Sequence, residues 1–139
     1  MEVTSITNGI IIDHVDAGTA LTVLHYLKID PTTTKLALIM NATSHALGAK
    51  DIIKLEDVEG LNLDALGFIA PHATVNIVRG GRIVDKAKPE LPEHLVGVIS
   101  CKNPRCVTTA ETGLEQRFHL ANAERREYRC DYCDEEAQR

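Results

Sequence analysis

Four cysteines are the residues in this sequence with the clearest capacity for chemistry. They form two pairs: Cys101 and Cys106 have four residues between them, and Cys130 and Cys133 have two. Four thiolates on two short loops can surround one metal ion tetrahedrally and leave no coordination position open. The spacing therefore predicts one structural Zn²⁺ ion per chain, bound by all four cysteines.

Other uses of the cysteines remain open at this stage. A rubredoxin-like iron site normally has two residues between the cysteines of both pairs, whereas the first pair here is wider. A redox pair requires an exposed thiol of low pKa. A catalytic zinc ion usually has three protein ligands and a water molecule, so four cysteines disfavour that role even though His119 lies between the pairs.

The segment that holds the cysteines is set apart from the rest of the chain. Residues 86–92 contain Pro89 and Pro92, which favour an extended course, and we expect a linker there. The part that follows is short and has few aromatic residues, so metal binding would supply folding free energy that its core cannot. We predict two domains, residues 1–92 and residues 93–139, the second a small all-β zinc-binding domain.

The first domain alternates between strand and helix patterns. Short alternating or β-branched apolar runs predict strands at residues 10–13, 35–41, 50–56, 74–79 and 82–86. Helical spacing predicts a helix that Asp16 caps, with an apolar face made of Ala17, Ala20, Leu21, Leu24 and Leu27.

A second helix is predicted over residues 62–70, with Leu63, Leu66 and Ala70 on one side, and Gly80 and Gly81 suit a two-residue hairpin turn. The order β-α-β-β-α-β with an added hairpin strand is typical of an antiparallel sheet that has two helices on one face. We therefore predict an α+β, ferredoxin-like first domain.

A few polar residues of these strands could bind a ligand. Asp13 and His14 end the first strand, Lys54 interrupts an apolar alternation, and Asn76 and Lys86 flank the predicted hairpin. Taken singly, each is also explained as an ordinary solvent-facing polar residue. Together they offer two ammonium groups, an imidazole and a carboxylate, which could bind an anion and a ribose hydroxyl.

Composition narrows the class of protein further. The formal net charge is -5, and Arg125, Arg126 and Arg129 are interleaved with acidic residues, so a nucleic-acid partner is not expected. The first residues lack the pattern of a secretory signal peptide, and no apolar run is long enough to span a membrane. We expect a cytoplasmic protein with no membrane partner, in which thiols stay reduced.

Several motifs together resemble one known family, the regulatory chain of aspartate carbamoyltransferase. They are IDH at residues 12–14, KDIIK at 50–54, APHATVN at 70–76, KxKPxLP at 86–92 and the four cysteines. They occur in the family's order and at nearly its spacing over almost the whole chain. The resemblance is therefore more specific than any single motif.

The resemblance implies a non-catalytic subunit of an enzyme of pyrimidine biosynthesis. In the family, an N-terminal allosteric domain binds CTP, often with UTP, as inhibitors and ATP as an activator. The C-terminal zinc domain docks on the catalytic chains, and two regulatory chains form a homodimer through their N-terminal domains. In the best-known assembly, three such dimers bridge two catalytic trimers.

Site residues follow from the same resemblance. It assigns Asp13 to the ribose, His14 to the triphosphate, Lys54 to base and ribose, and Asn76 and Lys86 to the phosphates. It also assigns apolar or backbone contacts around the base to three residues, Ile6, Val78 and Ile83. Two positions depart from the family's pattern, since Thr4 stands where better-known members have a carboxylate and Gly81 where they have a tyrosine.

Rival functions make different predictions. A zinc-ribbon nucleic-acid binder would shift DNA or RNA in gels with strong salt dependence. A free-standing nucleotide sensor would bind nucleotides without copurifying with a catalytic chain. An iron or redox protein would show visible absorption or reversible thiol oxidation.

Overall fold

The computed structural model describes residues 6–45, 48–111 and 113–138. The chain forms two compact units, Met1–Glu90 and Leu91–Arg139. Within the described residues, no helix is both long enough and apolar enough to cross a membrane.

The first unit contains one five-stranded sheet. Its strands are β1 (Gly9–Asp16), β2 (Leu36–Ser44), β3 (Gly48–Glu56), β4 (Thr74–Arg79) and β5 (Arg82–Ala87), in the order β2-β3-β1-β4-β5. All four pairings are antiparallel. Two helices, α1 (Ala20–Tyr26) and α2 (Leu63–Ile69), bury residues in the same apolar core as the sheet. The predicted α+β fold with both helices on one face is confirmed.

Alternation along the strands divides the sheet into a core face and an open face. On β3, Ile53 and Leu55 are fully buried against the helices, whereas Lys54 between them is half-buried on the other side. On β1, Ile10 and Ile12 belong to the core, so Ile11 lies on the open face. The two faces therefore differ in chemistry, apolar beneath the helices and mixed on the open side.

The register of the sheet shifts at three places, and two of these β-bulges lie at the same end. In β1, Asp13 and His14 lie opposite the single residue Ile52 of β3, and His14 has a φ of 58°. In β2, Met40 and Asn41 lie opposite Asp51, and Asn41 has a φ of 61°. Such bulges bend a strand and change the direction of its side chains. Neither bulge is visible in the alternation of the sequence.

The structure corrects the prediction for α1. Asp16 does not cap the helix, because it is the last residue of β1, and the N-cap residue is Thr19. The buried residues of α1 are Ala20, Val23 and Leu24, whereas Leu21 is 62% exposed. The predicted face was therefore wrong at Leu21 and at Ala17, which is exposed and precedes the helix, and it omitted Val23. The reason is that the helix starts later than its apolar spacing indicates.

The second helix follows its prediction more closely. The Asn62 side chain caps α2 by accepting a hydrogen bond from the Ala65 N–H at 3.1 Å. Leu66 and Ala70 are buried as predicted, but Leu63 is 45% exposed. Phe68, which the pattern omitted, is buried and makes an edge contact with Tyr26.

The second unit is built on a small antiparallel sheet. Its strands are β6 (His94–Val96), β7 (Arg117–Asn122) and β8 (Glu127–Cys130), in that order, and one helical turn, α3 (Val107–Ala110), precedes β7. Leu95, Phe118 and Tyr128 are almost fully buried. The Tyr128 hydroxyl donates a hydrogen bond to the Pro92 carbonyl at 2.6 Å, which fixes the start of the unit to its core.

Candidate functional site

The four cysteines converge on one point of the second unit. Their Sγ atoms all lie within 4.8 Å of one another. The Cys101 and Cys133 Sγ atoms are 3.6 Å apart, and those of Cys106 and Cys130 are 3.8 Å apart. Four sulfurs about 2.3 Å from a tetrahedral Zn²⁺ ion would be about 3.8 Å apart. The distances within these two pairs therefore fit a tetrathiolate metal ion.

Ordinary local structure brings the two cysteine pairs together. The Cys101 N–H donates to the Gln116 side-chain oxygen at 3.0 Å, and the Cys106 N–H donates to the Asn103 carbonyl at 3.1 Å. Cys130 ends β8, and the turn after it closes where the Asp134 N–H donates to the Cys130 carbonyl. One loop and one strand-end turn thus present two thiols each.

The pKa values of the thiols indicate that the cluster is suited to a cation. The hydrogen bond from the Thr108 hydroxyl, 3.1 Å from the Cys106 Sγ atom, lowers the pKa of that thiol to about 7. Burial raises the pKa of Cys101 to about 12 and also raises that of Cys130. Several thiols so close together cannot all ionise alone, and a bound metal ion would deprotonate them.

The first unit gathers most of the remaining predicted residues on its open face. Residues paired directly across an antiparallel sheet project to the same side. Ile11 pairs with Lys54 on one side and with Asn76 on the other, and Asn76 pairs with Lys86. Lys54, Asn76 and Lys86 therefore lie in one row across four strands. At about 4.8 Å per strand, the row spans roughly 14 Å between the backbones of the two lysines.

The β1 bulge places Asp13 and His14 together beside that row. Thr74 pairs with Asp13, and the His14 Nδ1 atom lies 3.0 Å from the Thr74 hydroxyl oxygen. A regular strand would turn His14 to the core face, so the bulge is what brings it to the open face. The Asp13 carboxylate accepts a hydrogen bond from the His14 N–H at 2.6 Å and forms an ion pair with the Lys50 ammonium at 2.9 Å.

A shallow pocket of about 140 Å³ lies at the far end of the row. Its lining includes Ile6, Lys54 and Glu56. Leu36 and Ala37 of β2, and Lys35 just before that strand, complete it. Ile6 is buried but lies outside the helix-side core. The structure thus joins two of the predicted residues, Ile6 and Lys54, in one concave feature.

The hairpin borders the same region. Val78 pairs with Ile83; Val78 is buried, and Ile83 is 50% exposed. Gly81 lies in the predicted turn with a φ of 78°, and its N–H donates to the Thr7 carbonyl at 2.8 Å. The turn is thereby held against the segment that follows Ile6. Thr4 lies outside the described residues.

Two charged residues of this face were missed by the sequence analysis. Lys50 was noted only as part of a motif, yet its ammonium group forms an ion pair with Asp13, and Glu56 is one of the residues that line the pocket. Both follow the alternation of β3, in which Lys50, Lys54 and Glu56 are each an even number of residues apart. That alternation was the available evidence that they share a face with Lys54.

The fold and these features define a class of protein: a metal-binding chain with a ferredoxin-like sheet unit and a tetrathiolate unit. The family model for the allosteric domain of the aspartate carbamoyltransferase regulatory chain matches residues 1–90, and that for its metal binding domain matches residues 93–139. A regulatory chain of Bifidobacterium longum is 72% identical over 137 residues, which cover 99% of both chains.

More distant relatives belong to the same family. The regulatory chains of Clostridium acetobutylicum and Clostridium botulinum are 45% and 44% identical over 135 residues, which cover 97% of this chain and 92% of each relative. The chain belongs to the aspartate carbamoyltransferase regulatory chain family. It is therefore a regulatory, non-catalytic partner of catalytic chains, and its second unit is a metal-binding domain.

Proposed function

We propose that this chain binds nucleoside triphosphates on the open face of its first unit and transmits their effect to catalytic chains that its second unit contacts. CTP and UTP are the proposed inhibitors and ATP the proposed activator. Residues 1–92 form the proposed allosteric domain, and residues 93–139 form the proposed docking domain. The row of Lys54, Asn76 and Lys86 is the observation that carries the nucleotide proposal.

The row matches a nucleotide in length and in charge. Its span of roughly 14 Å suits an extended nucleoside triphosphate, with the base at the Ile6 end and the phosphates toward Lys86 and His14. Ammonium groups are needed because a triphosphate carries about four negative charges and the chain as a whole has a net charge of -5. Asp13 can accept a hydrogen bond from a ribose hydroxyl, and Val78 and Ile83 supply apolar contact.

Glu56 offers a way to distinguish bases. Glu56 lines the pocket with Lys54, and a carboxylate can accept a hydrogen bond from the exocyclic amino group of cytosine or adenine. Uracil has no such donor. The pocket therefore favours CTP and ATP as its own ligands, and UTP would depend on other contacts.

Zinc is the metal that fits the second unit best. Four thiolates with two S···S distances near those of a tetrahedron suit Zn²⁺, and a structural Zn²⁺ ion would leave no site for chemistry. Cys101, Cys106, Cys130 and Cys133 would hold one ion per chain. Thiols arranged as metal ligands also agree with a cytoplasmic location, where they stay reduced.

Exposed apolar side chains near the cysteines support docking through the second unit. Val107 follows Cys106 and is 41% exposed, and Tyr132 precedes Cys133 and is also 41% exposed. The Tyr132 hydroxyl donates to the Glu115 carbonyl at 2.8 Å, which holds its ring beside residues that follow α3. Apolar groups fixed on metal loops are suited to a protein interface.

A homodimer through the first unit is also part of the proposal. β2 is an edge strand of the sheet, and Met40 on it is 40% exposed. An edge strand presents backbone N–H and C=O groups that a second copy can pair with. The opposite edge, β5, carries Lys86 at the proposed phosphate end of the effector site, so pairing at β2 would leave that end accessible. The base pocket, which Leu36 and Ala37 of β2 line, would lie beside the dimer interface.

The regulatory effect would be a shift between two states of the catalytic assembly. An effector changes that equilibrium only through different affinities for the two states. Couplings of about 1–3 kcal/mol are usual and change apparent substrate affinity severalfold.

Copurification and calorimetry test the proposal together. The tagged chain is expressed with the catalytic chain of the same operon or genome, and the purified material is titrated with CTP and ATP. We expect a stable complex containing about one Zn²⁺ ion per regulatory chain, with nucleotide affinity in the micromolar to millimolar range. A complex that binds neither nucleotide would refute the effector role, and nucleotide binding without a complex would favour a free-standing sensor.

A further inference from the structure

Asp51 is a fully buried carboxylate that the proposed effector site does not use. It lies on β3 with a side chain that has 0% exposure, next to Lys50, whose ammonium pairs with Asp13. Alternation along β3 places it on the core face with Ile53 and Leu55, where an apolar residue would be expected. A buried charge at an apolar position is costly unless it is well hydrogen-bonded.

Its hydrogen bonds join three separate segments. One oxygen, Oδ2, accepts from the Gly18 N–H at 2.9 Å and the Ala20 N–H at 3.0 Å, directly after β1. The other, Oδ1, accepts from the Asn41 N–H at 2.9 Å, in the β2 bulge. Burial raises the pKa of Asp51, but these N–H groups outweigh it and hold the pKa below its ordinary value.

The same residue lies between the two bulges. Asp51 itself is opposite the bulged pair that contains Asn41, and its neighbour Ile52 is opposite the bulged pair of Asp13 and His14. Past the β1 bulge, the Asp51 backbone pairs with Val15. The carboxylate therefore fixes the chain just after one bulge and inside the other, although it touches neither His14 nor Asp13.

We propose that Asp51 is a positioning residue that holds both bulges in one geometry, so that His14 is directed at the phosphates of the effector. This inference rests on the proposed function. As a consequence, the same buried carboxylate fixes the β1 bulge, where the effector would bind, and the bulge in the edge strand β2. A structural change at one bulge can therefore alter the other bulge through the hydrogen bonds of a single carboxylate.

A purely structural role predicts something different. A stabilising carboxylate would lower the stability of the folded unit when removed but leave the affinity of the folded protein unchanged. A positioning role predicts a selective loss of the affinity that the β- and γ-phosphates add. CMP and CTP differ only in the β- and γ-phosphates. The dissociation constant of CMP divided by that of CTP therefore measures the affinity that these two phosphates add, and the contribution of the base and ribose cancels.

The test uses Asp51→Asn in the full chain, with affinities measured by calorimetry where each variant is folded. An asparagine keeps the shape but has one acceptor oxygen, so its amide must face either Asn41 N–H or the Gly18 and Ala20 N–H groups. We expect the CMP-to-CTP ratio to fall about tenfold, with CMP affinity changed less than about twofold. Leu66→Ala, on the buried face of α2, is the control for loss of stability.

A double-mutant cycle then asks whether Asp51 acts through His14. With His14→Ala already present, Asp51→Asn should change the ratio no further. If the wild type binds neither nucleotide, the proposed function and this inference both fail. If it binds CTP and Asp51→Asn keeps the full ratio, or lowers it equally with and without His14, only the inference is overturned. Asp51→Ser serves in the same scheme if Asp51→Asn does not fold.

Discussion

Replacing Lys86 by glutamine removes one charge from the proposed phosphate end of the effector site. Lys86 lies on the edge strand β5, directly paired with Asn76, and its side chain is exposed. Among the described residues no ion pair engages its ammonium group, so the substitution leaves no carboxylate without a partner. The effect on nucleotide affinity should therefore report the contact with phosphate.

The magnitude follows from the exposure of the site. Two unit charges 4 Å apart attract with about 1 kcal/mol in bulk water and about 4 kcal/mol near a protein surface. Since the lysine is exposed and must be ordered on binding, we expect a loss of about 1–2 kcal/mol, or about 5- to 30-fold in the dissociation constant of CTP. Lys54 lies roughly 14 Å away by backbone, beyond the screening length of about 10 Å at 0.1 M salt, so it cannot compensate.

Calorimetric titration with CTP at fixed ionic strength measures the change. Arg79→Gln is the matched control, because Arg79 is an exposed cation of the same hairpin that alternation places on the other face of the sheet. We expect its effect on the dissociation constant to stay below about twofold. Equal losses for the two variants would mean that only net charge matters, and no loss for Lys86→Gln would refute the assignment of the phosphates to this end.

Three further predictions concern stability. Gly9→Ala should destabilise the first unit by about 3 kcal/mol in urea unfolding, because φ is 151° and the new Cβ atom would lie 2.0 Å from the Leu55 carbonyl oxygen; an unchanged midpoint would contradict the geometry of β1. Tyr128→Phe should cost about 1 kcal/mol, measured on the metal-loaded protein, by removing the hydrogen bond to Pro92. Because folding lowers the pKa of Asp51, its contribution to stability is complete above its ordinary value of 3.8 and is lost as pH falls through the lower folded-state pKa. Asp51→Asn should flatten the stability profile in that acidic window, and an unchanged profile would show that Asp51 does not contribute there.

Much of the sheet unit could be predicted because its signals are local. The alternation of Lys54 between Ile53 and Leu55 indicated which face each residue occupies, and Gly80 with Gly81 indicated a hairpin. The second helix was predicted from the apolar spacing of residues 62–70, although its cap, Asn62, was not identified. Such features depend on residues a few positions apart, so a single sequence contains all the information that they require.

The start of α1 could not be predicted for the opposite reason. The N–H groups of Gly18 and Ala20 are satisfied by Asp51, which lies on β3. Without knowledge of that distant carboxylate, Asp16 was the natural choice of cap. The bulge in β2 could not be predicted for the same reason, because the Asn41 N–H donates its hydrogen bond to Asp51 on the neighbouring strand.

The two candidate sites differed in how far the sequence determined them. Cysteine spacing alone predicted the tetrathiolate cluster, since two short loops leave few other arrangements. The open-face site depended on strand register, which decides whether Lys54, Asn76 and Lys86 fall in one row. Register comes from long-range pairing and bulges, so the ion pair of Lys50 with Asp13 and the pocket that Glu56 lines emerged only with the structure. The alternation of β3 already placed both residues on the face of Lys54.

The most direct test of the central claim is the substrate saturation curve of the reconstituted assembly with and without nucleotide. Catalytic chains are assayed for aspartate dependence with wild-type regulatory chain and with Lys86→Gln, at a series of CTP or ATP concentrations up to saturation. We predict that CTP raises and ATP lowers the half-saturating aspartate concentration severalfold with the wild type, and that Lys86→Gln requires about 5- to 30-fold more nucleotide for the same shift. An intact complex whose curve does not respond to either nucleotide would contradict the account.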